Sequence, residues 1–103
     1  MEDSEVLKFI YDRLSARFAI ERLILFGSRA RGSAQQASDY DVLVVAESEI
    51  PFVERQGQAL LALGRRSFPV DLLVYTPREL ESEAAIRGSA VYWALQEGTV
   101  YAG

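Results

Sequence analysis

Three short apolar runs divide this chain, and helical patterns lie before, between and after them. The runs cover residues 22–26, 39–45 and 68–75. The helical patterns cover residues 4–18, 52–66, 77–87 and 89–97. Short runs bounded by turn residues are typical of buried strands, whereas the longer patterns place apolar residues three to four positions apart. The alternation predicts an α/β or α+β fold, in which helices pack on a small mixed β-sheet.

Local signals mark the ends of several elements. Ser4 is predicted to cap the first helix, and Thr76-Pro77-Arg78-Glu79 forms a capping box with proline at the first helical position. A short helical turn is expected after Gly27-Ser28, and Val100-Tyr101 is expected to add an edge strand. In the helix over 52–66, the residues expected near one face are Val53, Gln56, Leu60, Leu61 and Leu63.

The composition limits both the size of the protein and its chemistry. With 103 residues, half of them hydrophobic, the chain is long enough for a single domain over residues 1–103. It contains no Cys and no His, which excludes disulfides, thiol nucleophiles, histidine bases and zinc sites built on these ligands. Any catalysis must therefore rely on oxygen groups.

The charge balance and the hydropathy exclude two classes of partner. Fifteen acidic residues against eleven basic ones give a net charge of −4, so we expect no direct binding to nucleic acid. No apolar run approaches the ~20 residues that a membrane span needs, and the acidic N-terminus does not resemble a signal peptide. These features predict a soluble, cytoplasmic protein with no membrane partner.

Asp39 and Asp41 stand two residues apart at the start of the second predicted strand. Side chains of a strand alternate between its faces, so both carboxylates should lie on one face and Tyr40 on the other. Two neighbouring negative charges repel each other unless a cation lies between them. Oxygen ligands without His or Cys favour Mg²⁺ or Mn²⁺. Asp-x-Asp at a strand start is, however, more commonly a solvated loop edge.

Asp71 lies in an otherwise apolar run, where an ionised carboxylate is costly unless it is paired or bound to a metal. If its strand pairs beside Asp39 and Asp41, it supplies a third carboxylate. That group could bind a second cation or accept the proton of an attacking hydroxyl. The structural alternative is an ion pair with Arg65 or Arg66.

Gly27 and Ser28 end the first predicted strand and open a helical turn. Backbone N–H groups at such a turn can face phosphate oxygens, and the missing Cβ of Gly27 allows close approach. Arg29 and Arg31 could compensate the phosphate charge, although arginines of this kind are more often surface residues. The segment is not a P-loop, because the Gly-x-x-x-x-Gly-Lys pattern is absent.

The combination of these motifs resembles a known signature. Gly-Ser-Arg-Ala-Arg-Gly at 27–32, Ser-Asp-Tyr-Asp at 38–41 and a later strand with Asp71 are similar to the polymerase-beta-like nucleotidyltransferase superfamily. The longer strings resemble its minimal nucleotidyltransferase (MNT) branch, which consists of single domains of about this length. The resemblance spans residues 25–75, and it implies a small mixed sheet that carries the three carboxylates, with helices on one side.

The resemblance also implies a role for each residue. Gly27 and Ser28 would hold the triphosphate of an incoming nucleotide. Asp39 and Asp41 would coordinate two Mg²⁺ ions, while Asp71 would assist the second metal and deprotonate the acceptor. The implied reaction is attack of a hydroxyl on the α-phosphorus of a nucleoside triphosphate, with pyrophosphate as the leaving group.

The resemblance and the chain length together imply that the acceptor is another protein. Superfamily members that modify nucleic acids or antibiotics carry a further domain for the acceptor, and 103 residues leave no room for one. Stand-alone MNT domains resemble the antitoxin of HEPN–MNT pairs, which transfers AMP from ATP to a tyrosine of the HEPN ribonuclease. The leading hypothesis is therefore a protein adenylyltransferase and antitoxin that forms a hetero-oligomer with a HEPN-type toxin.

Three alternatives stay open at the level of sequence. The chain could neutralise its partner by masking it, without needing catalysis. It could transfer a nucleotide to a small molecule held by another subunit. It could also be a structural domain without metal chemistry, in which Asp71 is merely ion-paired.

Overall fold

A four-stranded sheet in the order β3-β2-β1-β4 forms the centre of the molecule. The computed structural model describes residues 2–32 and 39–103. The strands are β1 (Ile20–Phe26), β2 (Tyr40–Ala46), β3 (Val70–Tyr75) and β4 (Thr99–Ala102). The helices are α1 (Asp3–Ser15), α2 (Gly27–Ala30), α3 (Phe52–Leu63), α4 (Pro77–Ala84) and α5 (Ala90–Glu97). The predicted order of elements is confirmed, including the edge strand β4.

The sheet is mixed, as predicted. β1 pairs antiparallel with β2 and with β4, whereas β2 and β3 run parallel and are joined through α3. A parallel pair needs such a crossover because the chain must return to the same end of the sheet. The parallel pairing places the starts of β2 and β3 side by side.

Helices cover both faces of this sheet, so the expectation of helices on one side is wrong. The larger core lies between one face and α1 and α3, and it includes Leu14, Val42 and Val74. The smaller core lies on the opposite face beneath α4 and α5, and it includes Leu43 and Val91. Because successive strand residues point to opposite faces, β2 contributes alternately to the two cores.

Four predicted helix ends are displaced in the structure. Helix α1 ends at Ser15 instead of residue 18, and α4 ends at Ala84 instead of residue 87. Helix α1 begins at Asp3, with Glu2 rather than Ser4 at the N-cap, because Glu2 and Glu5 form a reciprocal capping box. Helix α3 ends at Leu63 instead of continuing to residue 66, because Gly64 adopts a positive φ of 67° and its N–H bonds to the Leu60 carbonyl. The capping box of Thr76 and Glu79 at the start of α4 is confirmed.

The predicted buried face of α3 is largely wrong. Val53 and Leu61 are each 82% exposed, whereas the buried residues of the helix are Arg55, Ala59 and Leu63. Apolar spacing alone does not reveal that a charged side chain occupies the core. Arg55 does so because its guanidinium donates to the carbonyls of Val74 and Ile50 and to the carboxylate of Glu79.

No helix in the described part of the chain is long and apolar enough to cross a membrane.

Candidate active site

A row of three side-chain positions crosses the sheet at the starts of β2 and β3. Phe26 at the end of β1 stands opposite Asp41, and Asp41 stands beside Asp71 in the parallel register. Adjacent strands lie about 4.8 Å apart, and in-register positions share a face of the sheet. The structure therefore brings together two carboxylates that are far apart in the sequence.

The turn after β1 lies directly against this row. Gly27 begins α2 with a φ of 73°, a conformation that favours glycine. A Cβ added to Gly27 would lie only 2.0 Å from Oδ2 of Asp41. Two constraints therefore favour glycine at position 27: the positive φ of the turn, and the Asp41 carboxylate that leaves no space for a Cβ.

The environment of Asp41 disfavours an ionised side chain. Partial burial raises the pKa of this carboxyl above its ordinary value, and the negative charges of Asp71 and Asp39 raise it further. The positive charge of Arg31 offsets part of this effect. Concentrated negative charge is costly for the fold alone, and a divalent cation would reverse that cost.

Asp71 does not occupy the environment that its sequence suggested. Its strand β3 is an edge strand, and the residue is exposed rather than enclosed in apolar surroundings. The argument from costly burial is therefore wrong, because an apolar run on an edge strand does not enclose each of its side chains. The predicted proximity to Asp41 is nevertheless confirmed by the register.

Asp39 lies one residue before β2 and is exposed. Tyr40, in contrast, is buried in the larger core, as alternation along the strand requires. Within residues 2–32 and 39–103, no group of three or more acidic side chains is close enough to hold a metal ion. The structure thus places Asp41 and Asp71 side by side and leaves Asp39 at the rim, within electrostatic reach of Asp41.

The donor set at this position suits a hard divalent cation. Its side chains offer carboxylate oxygens, and the chain has no His or Cys that would favour zinc. The contact between Gly27 and the Asp41 carboxylate also leaves a backbone turn beside the acidic groups. The residues present therefore fit a divalent cation, and the glycine turn lies next to them.

The two arginines after the turn have different environments. Arg31 is half exposed, pairs with Glu97 of α5 at 3.1 Å, and acts electrostatically on Asp41. Arg29 is largely buried on the other side of the turn, where it pairs with Asp3 at 3.2 Å. Its guanidinium lies 3.9 Å from the centroid of the Tyr40 ring. Ser28 is half-buried as the second residue of α2.

A family model described as "Nucleotidyltransferase domain" matches residues 5–67, which is more than half of the chain and includes the turn, Asp39 and Asp41. The chain belongs to the nucleotidyltransferase domain family. Asp71 lies beyond the segment that this nucleotidyltransferase shares with the family model, and the register of β3 places it beside Asp41, which lies within that segment.

Similar proteins agree with this membership. A Methanocaldococcus jannaschii protein that bears the provisional name protein adenylyltransferase is 33% identical over 76 residues, which are 72% of this chain and 76% of the relative. A Sulfolobus solfataricus structure with the provisional name nucleotidyltransferase is 26% identical and has a TM-score of 0.63. That alignment covers 95% of this nucleotidyltransferase and 86% of the other chain.

A solved toxin–antitoxin structure with AMP-PNP shares the fold at 20% identity, with a TM-score of 0.56. The alignment covers the whole of this chain and 75% of the chain in that structure. The resemblance to minimal nucleotidyltransferases is confirmed, and so is the mixed sheet with packed helices. The chain is thus a nucleotidyltransferase whose motif residues meet at one edge of the sheet.

The sequence did not predict two residues that hold the side chains of the motifs in place, Asp3 and Glu97. Asp3 accepts hydrogen bonds from Arg29 and from the Tyr40 hydroxyl, and Glu97 holds Arg31. No local pattern marks Asp3 or Glu97, because both reach the motif only through tertiary packing. The one available signal was the position of Tyr40, which alternation places opposite the carboxylates and toward the core.

Proposed function

We propose that this nucleotidyltransferase transfers AMP from ATP to a hydroxyl group of a partner protein. The observation that carries the proposal is the contact between Gly27 and Asp41, with Asp71 beside Asp41 in the register. It joins a turn suited to phosphate to a pair of carboxylates suited to a divalent cation. The name of the M. jannaschii relative supports a protein as acceptor.

In this proposal the turn binds the nucleotide. Gly27 and Ser28 would present backbone N–H groups, and the Ser28 hydroxyl, to the triphosphate. Arg31 would add positive charge near Asp41, and Arg29 follows Ser28 in the same turn. The toxin–antitoxin relative with AMP-PNP, an analogue of ATP, supports ATP as the donor.

Asp41 and Asp71 would hold Mg²⁺ together with Asp39, which lies at the rim in this structure and would have to approach them on binding. Two ions are expected, with Mn²⁺ as a replacement. When bound, such ions neutralise phosphate charge and stabilise the entering and leaving oxygens. Partial burial, followed by the charges of Asp71 and Asp39, raises the pKa of Asp41. The raised pKa supports this assignment, because a carboxylate that is costly to ionise indicates a position where positive charge is needed.

The acceptor oxygen would form a bond to the α-phosphorus while the bond from that phosphorus to the pyrophosphate oxygen breaks. The proton of the acceptor hydroxyl would pass to Asp71, whose exposed carboxylate lies open to an incoming group. The products are an AMP-modified hydroxyl and pyrophosphate. Asp71 therefore acts as the general base in this scheme.

The acceptor would come from a second protein. We propose a HEPN-type toxin as the partner and one of its tyrosines as the acceptor, so that modification silences the toxin. The fold shared with a toxin–antitoxin structure supports this assignment. The complex would be a hetero-oligomer in the cytoplasm, with no membrane or direct nucleic-acid partner.

The test uses ATP labelled at the α-phosphate, Mg²⁺ and the co-expressed toxin. Wild type should label the toxin, and Asp39→Ala and Asp41→Asn should not. Asp12→Asn is the matched control, because Asp12 pairs with Lys8 on α1 and has no part in the proposed site. Absence of label on any protein, or labelling of a small molecule alone, would overturn the proposal.

The same variants separate catalysis from masking. If Asp39→Ala neutralises the toxin as well as wild type does, while it transfers no label, neutralisation depends on binding alone. If neutralisation is lost together with the label and the variant still binds the toxin, the transferred AMP is responsible.

A further inference from the structure

Three separate segments of the molecule meet at one side chain. Oδ1 of Asp3, the first residue of α1, accepts a hydrogen bond from Nη1 of Arg29 at 3.2 Å. The same oxygen accepts a hydrogen bond from the Tyr40 hydroxyl at 2.9 Å. The Arg29 guanidinium also lies over the Tyr40 ring at 3.9 Å from its centroid. Each of the three side chains therefore contacts the other two.

Two members of this cluster come directly from the motifs of the proposed site. Arg29 follows Gly27 and Ser28 in the turn assigned to phosphate. Tyr40 stands between Asp39 and Asp41 in the chain, on the opposite face of the strand. The cluster thus joins the phosphate turn to the carboxylate strand on the face away from the reaction, and Asp3 is the link.

The cluster is well placed to be rigid. The Tyr40 residue is 4% exposed and the Arg29 side chain 12% exposed, so both are held by surrounding packing. A charged hydrogen bond and a cation–π contact in the same place restrict the guanidinium more than either does alone.

We propose that Asp3 is a positioning residue of this nucleotidyltransferase, which acts through Arg29 and Tyr40 to fix the phosphate turn relative to Asp39 and Asp41. The inference rests on the proposed function for its kinetic consequence. It also assigns Arg29 a different task from the one predicted from sequence: the guanidinium supports the turn from behind, whereas Arg31 is the cation on the side of Asp41.

A positioning role and a direct phosphate contact have different kinetic signatures. A residue that sets the relative placement of two halves of a site acts mainly on the transition state, so its loss lowers kcat. A residue that binds phosphate in the ground state raises KM for ATP when it is removed. We therefore expect Asp3→Ala to lower kcat by about 10- to 100-fold, with KM for ATP changed about twofold or less.

The matched control is Asp12→Ala, which removes another exposed carboxylate and ion pair from the same helix. It should leave kcat and KM at wild-type values. Asp3→Asn keeps an oxygen that can accept from Arg29 and Tyr40, and it should recover part of the lost kcat. The double variant Asp3→Ala/Tyr40→Phe should lose no more kcat than Asp3→Ala, because both bonds end on the same oxygen.

A second measurement does not depend on turnover. Amide hydrogen exchange in the free protein should become faster at residues 27–31 and 39–41 in Asp3→Ala than in Asp12→Ala, while exchange in β3 stays unchanged. This comparison also shows whether Asp3→Ala folds. Faster exchange throughout both cores would mark general destabilisation and would overturn the positioning role.

Failure of the inference and failure of the proposed function give different results. If wild type transfers AMP and Asp41→Asn does not, but Asp3→Ala matches Asp12→Ala in kcat and in exchange, the positioning role is wrong. A higher KM at unchanged kcat overturns it too. If wild type transfers no AMP, the proposed function fails, and the exchange measurement alone decides whether Asp3 fixes the turn to the strand.

Discussion

Charged side chains lie at both ends of β3, but only those at the C-terminal end have ion-pair partners among the described residues. Near the C-terminal end, Arg55 is enclosed by the fold and meets Glu79 at 2.5 Å, with further bonds to the carbonyls of Val74 and Ile50. Near the N-terminal end, Asp71 lies beside Asp41, and no cation of the described residues forms an ion pair with either one.

The difference indicates two roles for charged residues. Arg55 stabilises the fold, whereas Asp41 and Asp71 are placed to bind a ligand. A buried guanidinium must find its partners inside the protein, because leaving it unpaired costs several kcal/mol. A pair of neighbouring carboxylates destabilises the fold unless something from outside supplies positive charge. At the C-terminal end, groups within the protein therefore meet the charge of Arg55, although its buried Nε has no hydrogen-bond partner among the described residues. The N-terminal end is arranged for a bound species. The following predictions test this contrast, beginning with the largest expected effect.

Removing the central carboxylate should separate activity from stability. Asp41→Asn should reduce AMP transfer on the order of 10³-fold, a loss comparable to removing a key electrostatic group from an active site. Because the substitution relieves repulsion with Asp71 and Asp39, the free energy of unfolding at neutral pH should stay equal or rise. Transfer assays and urea unfolding of the same samples measure both. A less stable Asp41→Asn would contradict the contrast.

Adding a methyl group at the turn should damage the active-site end specifically. Gly27→Ala places a Cβ against Asp41 at a positive φ, so we expect about 2–3 kcal/mol of destabilisation and on the order of 100-fold slower transfer. Gly32→Ala is the matched control, since Gly32 has a φ of 74° and an added Cβ there would meet no atom of the described residues within 4 Å. It should cost only about 1 kcal/mol from backbone strain and leave transfer unchanged. Equal effects of both variants would show that the contact with Asp41 is unimportant.

Removing the buried cation should damage the other end. Arg55→Ala is expected to lower the free energy of unfolding by about 3–5 kcal/mol, because Glu79 and two carbonyls lose their partner and a cavity remains. The exposed Arg65→Ala should change it by about 0.5 kcal/mol or less. Denaturant unfolding measures both, and the folded fraction of Arg55→Ala should keep wild-type kcat. A specific loss of kcat would mean that the two ends are coupled.

The smallest expected effect concerns how the free energy of unfolding depends on pH. The carboxyl groups at the two ends of β3 should contribute with opposite signs. The raised pKa of Asp41, caused first by burial, means that the folded state binds this proton more tightly than the unfolded state. Protonation of Asp41 therefore raises the free energy of unfolding as pH falls from its raised pKa toward the ordinary pKa of Asp. Without added metal, Asp41→Asn should remove this gain.

Glu79 should behave in the reverse sense. Partial burial works to raise its pKa, but hydrogen bonds from Arg55 and Thr76 outweigh burial and hold the pKa below its ordinary value. Its stabilising contribution is present above the ordinary pKa of Glu and is lost as pH falls through the lowered value. Urea unfolding of wild type, Asp41→Asn and Glu79→Gln across acidic pH measures both signs, and the same sign for both groups would contradict the contrast.

Much of the fold could be predicted from local sequence. The order of strands and helices, the capping box at Thr76 and the edge strand β4 follow from periodicity and turn chemistry that act over a few residues. The orientation of Asp41 away from Tyr40 follows from strand alternation. The buried face of α3 could not be predicted in this way, because Arg55 enters the core only where carbonyls and Glu79 from other segments receive it.

The sequence by itself determined which chemical groups this protein can use: carboxylates and arginines beside a glycine-serine turn, with neither imidazole nor thiol. Tertiary structure alone decided how they meet. The parallel register places Asp71 beside Asp41, the turn brings Gly27 against the same carboxylate, and helix packing carries Asp3 to Arg29 and Tyr40. These contacts join segments that are distant in the chain, and strand register and packing set their geometry, which no local pattern specifies.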